Sequence, residues 1–300
     1  MLETSSHLGA VQVDAAAPAP RRSPVRALLS NPWGVASLAI ILGLIVLAVF
    51  APLIAPHNPD AVLPNATNSL GAPVGPSAAY PFGADELGRD VLSRVIWGSR
   101  ISLEVGLAST LMAVVIAVVV GITAGYFGGW VDQLMMRVTD TVLAFPFLLF
   151  VILLVSVLKP SVGVIIFTIG AFSWAPMARI ARGQAMSTSK NEYVEGARAV
   201  GARSTRVMFR HVLPNMLGPV IVYGFLQVGT NILVESSLAF LGLGAPPPTP
   251  DWGSMVSEGV QYMQIAPWIF LYPGLAIVLT VVAFNMLGDS LNEALGRRVD

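Results

Sequence analysis

The sequence predicts an all-α, polytopic membrane protein with six transmembrane helices and both termini in the cytoplasm. Three observations predict it. Of 300 residues, 55% are hydrophobic and only 11% charged, with a mean hydropathy of +0.72, whereas about a quarter of an ordinary globular domain is charged. The apolar residues fall into six long runs, near the roughly 20 residues that cross about 30 Å of hydrocarbon as a helix. Arginine and lysine are shared unevenly among the segments between those runs. The formal net charge is zero, which implies no nucleic acid or other uniformly charged partner. The lack of cysteine excludes disulfides, thiol catalysis and thiolate metal sites. His7, His57 and His211 are too scattered to suggest a metal cluster.

Residues 1–32 are polar and rich in Ala, Pro and Ser, with Arg21, Arg22 and Arg26; they read as a disordered cytoplasmic tail. Residues 33–54 form the first span. This run exceeds the about 7–15 residues of a signal-peptide core, so it reads as uncleaved. Residues 55–100 form an external loop ending in the run ADELGRDVLSRVIWGSR. Asp85, Glu86, Arg89, Asp90, Arg94 and Arg100 preclude a span there and predict a solvated surface helix, with Arg100 and Glu104 placed to pair. Residues 101–290 hold five further spans, at 101–124, 133–158, 162–180, 216–243 and 266–287. Pro146, Pro176 and Pro273 inside them predict kinks that membranes tolerate. Residues 291–300 form a second cytoplasmic tail.

Positive residues orient the spans. With the N-terminus inside, the inner segments hold Arg21, Arg22, Arg26, Arg137, Arg297 and Arg298 together with the basic stretch 179–210, while the outer ones hold only Arg89, Arg94, Arg100 and Lys159.

The cytoplasmic segment KNEYVEGARAVGARSTRVMFRHVLP, residues 190–214, is a polar island in an apolar chain. Each charge at the centre of a span costs roughly 2.5–3.5 kcal/mol, and each Leu or Val returns only about half a kcal/mol, so the segment stays in water. Ser189 and Glu192 have capping-box spacing, predicting a helix from near Lys190, and Gly201 suits the left-handed residue past its end. Tyr193, Ala197 and Val200 fall on one face with Glu195 and Arg198 beside it, and a second helical stretch runs to Leu213-Pro214. A short helix with an apolar ridge suits another protein's groove; the alternative is a loop that merely obeys the positive-inside rule.

Polar groups inside spans face the bundle or a water path. Gln227, Asn231 and Glu235 recur at steps of four on the fifth span with Thr230 beside them, and are read as lining the translocation path; the alternative is interhelical hydrogen bonding. Near the third span, Arg137 and Asp140 are three apart and read as a structural pair beside Asp132. Asp289 is placed to meet the cytoplasmic region. The Pro-rich loop from Pro246 to Gly253 reads as rigid and external; either Trp252 anchors at the interface or the loop meets a delivery protein.

Glu195-Gly196-Ala197, then Gly201, then His211-Val212-Leu213-Pro214 resembles the EAA loop of ABC importer permeases: E-A-A, three residues, Gly, nine residues, I-x-L-P. Gly196 and His211 depart from that pattern. Other stretches resemble the C-type permease of the dipeptide, oligopeptide and nickel importers: PFGADELGRDVLSRVIWGSRISLEVGL from Pro81, AGYFGGWVDQLMMRVTD from Ala124, FLGLGAPPPTPDWGSM from Phe240 and PGLAIVLTVVAFNMLGDSL from Pro273. The resemblance covers nearly everything after residue 31. It implies a type I ABC importer permease fold, with the loop 183–214 docking on an ATPase through Glu192, Tyr193, Glu195, Ala197, Arg198, Gly201, Leu213 and Pro214. It further implies a second homologous permease, two ATPase subunits or domains carrying ATP and Mg²⁺, and an external substrate-binding lipoprotein, with peptides as substrates.

The chain has no phosphate-binding G-x-x-x-x-G-K-[ST] loop, no catalytic constellation and no metal-ligand cluster. It is therefore expected to be non-catalytic, to bind no cofactor and to work by conformational change. The competing class is a self-contained secondary transporter or channel that uses Glu235 for ion coupling.

Overall fold

The computed structural model describes residues 24–69 and 71–296, and the regular elements among them are all helices. Most of the predicted N-terminal tail lies outside the described residues, as do Arg21, Arg22, Arg297 and Arg298. Pro24–Ser30 (α1) is helical, so part of the predicted tail is ordered secondary structure. Asn31 caps the first span, Pro32–Val49 (α2): its side chain accepts from the Trp33 N–H at 3.0 Å. Pro32 occupies the first helical position, where a missing N–H costs nothing. A single turn, Ala51–Ile54 (α3), follows.

The largest departure from expectation is Val91–Phe127 (α4). The predicted surface helix and second span are one helix of 37 residues, about 55 Å long at 1.5 Å per residue. Asp90 starts it, accepting from the Ser93 N–H at 3.0 Å and the Ser93 hydroxyl at 2.6 Å. Its first turns are not solvated. Asp85, Arg89, Asp90 and Arg94 are buried. Arg89 Nε donates to Asp85 Oδ2 at 2.6 Å, and its Nη2 reaches Glu86 and Glu258 at 3.4 Å each. Arg94 Nε lies 3.4 Å from Asp85 Oδ2. Carboxylates and guanidiniums pair here, which offsets part of the cost of taking charged groups out of water. Arg100 does not pair with Glu104; its guanidinium lies 5.2 Å from the Trp97 ring centroid.

Gly128 and Gly129 break the chain after α4 with φ of 62° and 55°. Gly129–Ala144 (α5) and Phe147–Leu158 (α6) then meet at an 80° bend. The expected kink at Pro146 is thus a break: proline offers no N–H to the helical ladder and holds Phe145 extended, with ψ of 136°. Val162–Ser189 (α7) is capped by Ser161, which accepts from the Val164 N–H at 3.2 Å, and it runs well past the predicted end at residue 180. Glu192–Ala199 (α8), Ser204–Val207 (α9), a π-helical turn Met208–Val212 and Leu213–Phe240 (α10) follow. Trp252–Val260 (α11) and Trp268–Gly296 (α12) complete the order. Residues 291–296, expected in a tail, continue α12.

Five helical runs are long and apolar enough to cross a membrane, and the bent α5–α6 pair makes a sixth, matching the six runs of the sequence. Helix α11 was not expected. Trp252 is buried and its Nε1 donates to Val95 O at 2.9 Å, so it fastens α11 to α4 instead of anchoring at an interface.

Helices α4 and α7 form the spine. A Cβ at Gly121 would fall on Ala181 Cβ and 2.9 Å from Ala178 O; one at Gly125 would lie 2.7 Å from both Ala185 Cβ and Arg182 O. Small residues at steps of four let two backbones meet, which matters where lipid removes the hydrophobic drive for helix association. One apolar cluster joins this spine to α8 and α10 through Trp174, Met177, Val194, Val212 and Met216. A second joins α2, α4, α10 and α12 through Ile41, Leu103, Ile232 and Phe284.

Gly121→Ala is expected to destabilise the fold by about 1–3 kcal/mol, the usual cost of overpacking. Gly183→Ala, in open space on α7, is expected to be neutral. Thermal unfolding of the detergent-solubilised protein separates them; equal midpoints would refute the spine.

Candidate functional site

Helix α7 ends at Ser189, so that residue closes one helix instead of opening the next. Ser189 is buried, its hydroxyl has no partner among the described residues, and the predicted capping box with Glu192 does not form. Asn191 precedes α8 instead. The predicted stop is present in full. Gly201 has φ of 81°, its N–H donates to Arg198 O at 2.9 Å, and the Ala202 N–H donates to Ala197 O at 3.1 Å. This is a Schellman closure, which the left-handed glycine makes possible.

Helix α8 is seated by a residue outside the predicted set. Val194 is fully buried and Ala197 packs beside it against Val207, Met208 and Val212. Tyr193 and Val200, 48% and 84% exposed, are seven residues apart and share the outer face. The predicted single ridge is therefore divided: Ala197 belongs to the seat, Tyr193 and Val200 to the free surface. The helix EYVEGARA holds a single branched aliphatic residue, Val194, and that was the available signal. Glu192 and Glu195 are exposed in the first turn, where the helix dipole favours acids. Arg198 lies over Tyr126, its guanidinium carbon 4.6 Å from the ring centroid.

Leu213-Pro214 explains the π turn. Pro214 has no N–H for the Arg210 carbonyl, and the helix widens so that the Leu213 N–H donates to Met208 O, five residues back. Asn215 Nδ2 donates to His211 O at 2.7 Å and satisfies another loosened carbonyl. Beside α8 this leaves an open cavity of about 330 Å³ lined by Val200, Gly201, Arg206, Arg210 and His211.

The polar residues of α10 are not on an open face. Gln227, Asn231 and Glu235 are buried against α4. Asn231 Nδ2 donates to Ser109 Oγ at 3.1 Å and Thr110 Oγ1 at 2.9 Å, and Gln227 Nε2 donates to Asn231 Oδ1 at 3.0 Å. Ser102 Oγ and Ser236 Oγ donate to Glu235 Oε2 at 3.1 and 3.3 Å. Thr230 alone of the four is exposed, on the face that carries Leu233 and Ser237. The stripe therefore joins helices in this structure, because its four-residue step matches the hydroxyls Ser102, Ser109 and Thr110 on α4. The Arg137–Asp140 pair does not form either. Asp140 accepts from Arg179 at 2.6 Å, Asp132 pairs with Arg182, and Arg137 is exposed. Partners on a neighbouring helix outcompete the local spacing.

Residues 117–300 match the sequence profile of binding-protein-dependent transport system inner membrane components. Residues 21–73 match the N-terminal transmembrane domain of oligopeptide transport permease C. The chain is 39% identical to a dipeptide transport system permease of Alkalihalophilus pseudofirmus over 92% of its own length and 89% of the relative's. It is 42% identical to a glutathione transport system permease of Escherichia coli O6:K15:H31 over 88% and 86%. The same identity and coverage relate it to the glutathione permease of Shigella sonnei. The chain belongs to this family of inner membrane components.

The permease is thus a multi-pass subunit of an ABC importer in the cytoplasmic membrane, as the EAA-like segment implied. A self-contained carrier coupled to ions through Glu235 is not supported: the family and the relatives are components of binding-protein-dependent transport systems. Among the described residues no group of His, Asp and Glu has metal-site geometry.

At the other end of the permease, Asp251 caps α11, its Oδ1 accepting from the Ser254 N–H at 2.7 Å. Burial holds its carboxyl above the usual range, against the pull of Ser254 and of Arg94. The folded protein therefore keeps this proton at pH values where the unfolded chain has released it. The contribution to stability falls as pH rises above about 4 and levels off once the folded carboxyl ionises. Asp251→Asn keeps the cap acceptor and removes the titration. Its melting temperature relative to wild type is expected to rise as pH increases above about 4; a difference independent of pH contradicts the assignment.

Proposed function

We propose that the permease forms half of a translocation path for short peptides and is driven by an ATPase docked on α8. The observation that carries this is the build of α8. It is a helix of 8 residues rooted by buried Val194, stopped by Gly201, and presenting Tyr193, Glu195 and Val200 outward beside a cavity. A helix so seated can be pushed as a unit, because its inner face is already packed and its outer face is free. The basic residues of the segment support a cytoplasmic position for this end and for both termini.

The assembly is a second homologous permease, two ATPase subunits or domains that hold ATP and Mg²⁺, and an external binding lipoprotein that delivers substrate. Peptide as substrate follows from the relatives, whose names specify dipeptide and glutathione transport. The exposed strip of α10 with Thr230, Leu233 and Ser237 faces the second permease and the path; Gln227, Asn231 and Glu235 hold that strip in position from behind. Alternating access requires a ligand that binds the two states unequally, and ATP closing the paired ATPases supplies that difference through α8.

Reconstitution in proteoliposomes with the ATPases and binding protein tests this. The expected result is uptake of labelled dialanine that requires ATP. Uptake by the permease alone without ATP would overturn it. Within that system, Gly201→Val should lower uptake severalfold at unchanged membrane abundance. No side chain or backbone crowds this glycine, so the effect is the roughly 1–2 kcal/mol cost of a left-handed branched residue. Gly201→Asn, which tolerates that conformation, should retain most uptake.

A further inference from the structure

We infer that Arg198 is a positioning residue within the permease: stacked on Tyr126, it ties α8 to the end of α4, so that displacement of α8 moves α4 and α7 together. This rests on α8 being the helix that an ATPase pushes. The guanidinium carbon lies 4.6 Å from the Tyr126 centroid, within the roughly 6 Å over which a ring face holds a cation. Tyr126 sits in the last turn of α4, half-buried and packed against the cluster that receives Val194 and Val207. Phe127 meets it edge-on at 5.2 Å and 88°, which fixes the plane of the ring. Helix α4 has no basic residue of its own in its last turn. Arg198 supplies positive charge beside the negative end of that helix dipole.

The attachment has a mechanical consequence. Helix α8 follows α7 through only Lys190 and Asn191. Held there alone, it would swivel about that link when pushed. Arg198 adds a second attachment, to α4, and buried Val194 fills the space between. At this end α4 and α7 are closely packed, because Gly121 and Gly125 leave no room for a Cβ beside Ala181 and Ala185. A push on α8 is therefore delivered to the pair as a tilt. The surface left for the ATPase is Tyr193, Glu195 and Val200, and Arg198 leaves the set expected to face it.

The test measures labelled dialanine transported per ATP hydrolysed by the complete importer in proteoliposomes. Tyr126→Leu and Arg198→Gln are each expected to lower that ratio about threefold, the factor an exposed cation–π contact is worth, while the ATPase co-purifies normally. The double variant should be no worse than either single one, and Tyr126→Phe, which keeps the π face, should restore the ratio. An unchanged ratio in both single variants overturns the inference. So does loss of the ATPase from the Arg198→Gln complex but not from the Tyr126→Leu complex, which would make Arg198 a direct contact. A wild-type importer that moves peptide without ATP overturns the coupling role of α8 itself, and with it this inference.

Discussion

The close approach of α4 and α7 is the constraint on which the other features depend. Lipid tails are as apolar as leucine, so burying a leucine face between two helices gains little over leaving it in the bilayer. What remains is dispersion at short range and the hydrogen bonds that short range permits. Gly121, Gly125 and Gly170 supply the range: each faces an alanine or a backbone carbonyl at a distance that leaves no room for a side chain. Once the two helices are joined, Arg182 on α7 is held where it pairs with Asp132, and Arg179 where it pairs with Asp140. The bent third span is thereby attached to the spine through its first half, and α6 packs back on α7 through Val151 and Val155.

The same physics explains why so many polar groups are buried at the other end without disrupting the fold. Ser102, Ser109 and Thr110 on α4 meet Glu235 and Asn231 on α10. Asp85, Arg89, Arg94 and Glu258 form a local network in the loop above them. A polar group inside a membrane protein that finds no partner is costly, so such groups specify which helices meet and in what register. The network around Arg89 and Arg94 fastens the 55–90 loop and α11 onto the elongated start of α4, and Trp252 adds an indole bond to Val95 O. This end of the molecule is therefore built as a continuation of the bundle.

The number of spans, the Pro146 discontinuity and the stop at Gly201 were legible in the sequence because each depends on a local cost: desolvation of charge, a missing N–H, a forbidden φ. Features set by partners distant in sequence were not. Arg137 was matched to Asp140 by spacing, but Arg179 on a neighbouring helix holds that carboxylate. The run from Asp85 to Arg94 looks solvated by its charges alone, because they cannot reveal that Glu258, far along the chain, pairs with Arg89 and Arg94. The four-residue step of Gln227, Asn231 and Glu235 correctly placed them on one face, but only the hydroxyls on α4 decide what that face meets. At the candidate site, Val194 was missed for a related reason: in a two-turn helix, periodicity alone does not distinguish the face that is seated from the face that is free.

The distribution of rigid and compliant elements follows from these causes. The spine is closed by contacts between backbones, which deform only at a large cost in dispersion energy. Its neighbours are interrupted: α5 and α6 at Pro146, and α9 and α10 at the widened turn before Pro214, where carbonyls are satisfied by five-residue bonds and by Asn215. Discontinuities of this kind absorb changes in direction without breaking a whole helix. Helix α8 lies between the rigid pair and the widened turn, with Val194 in a core shared by both. It therefore has the closely packed pair on one side and the interrupted helix on the other. The strip of α10 that carries Thr230 and Ser237 lies beyond that turn. Its position relative to the spine is set by the hydrogen bonds of Asn231 and Glu235 to α4.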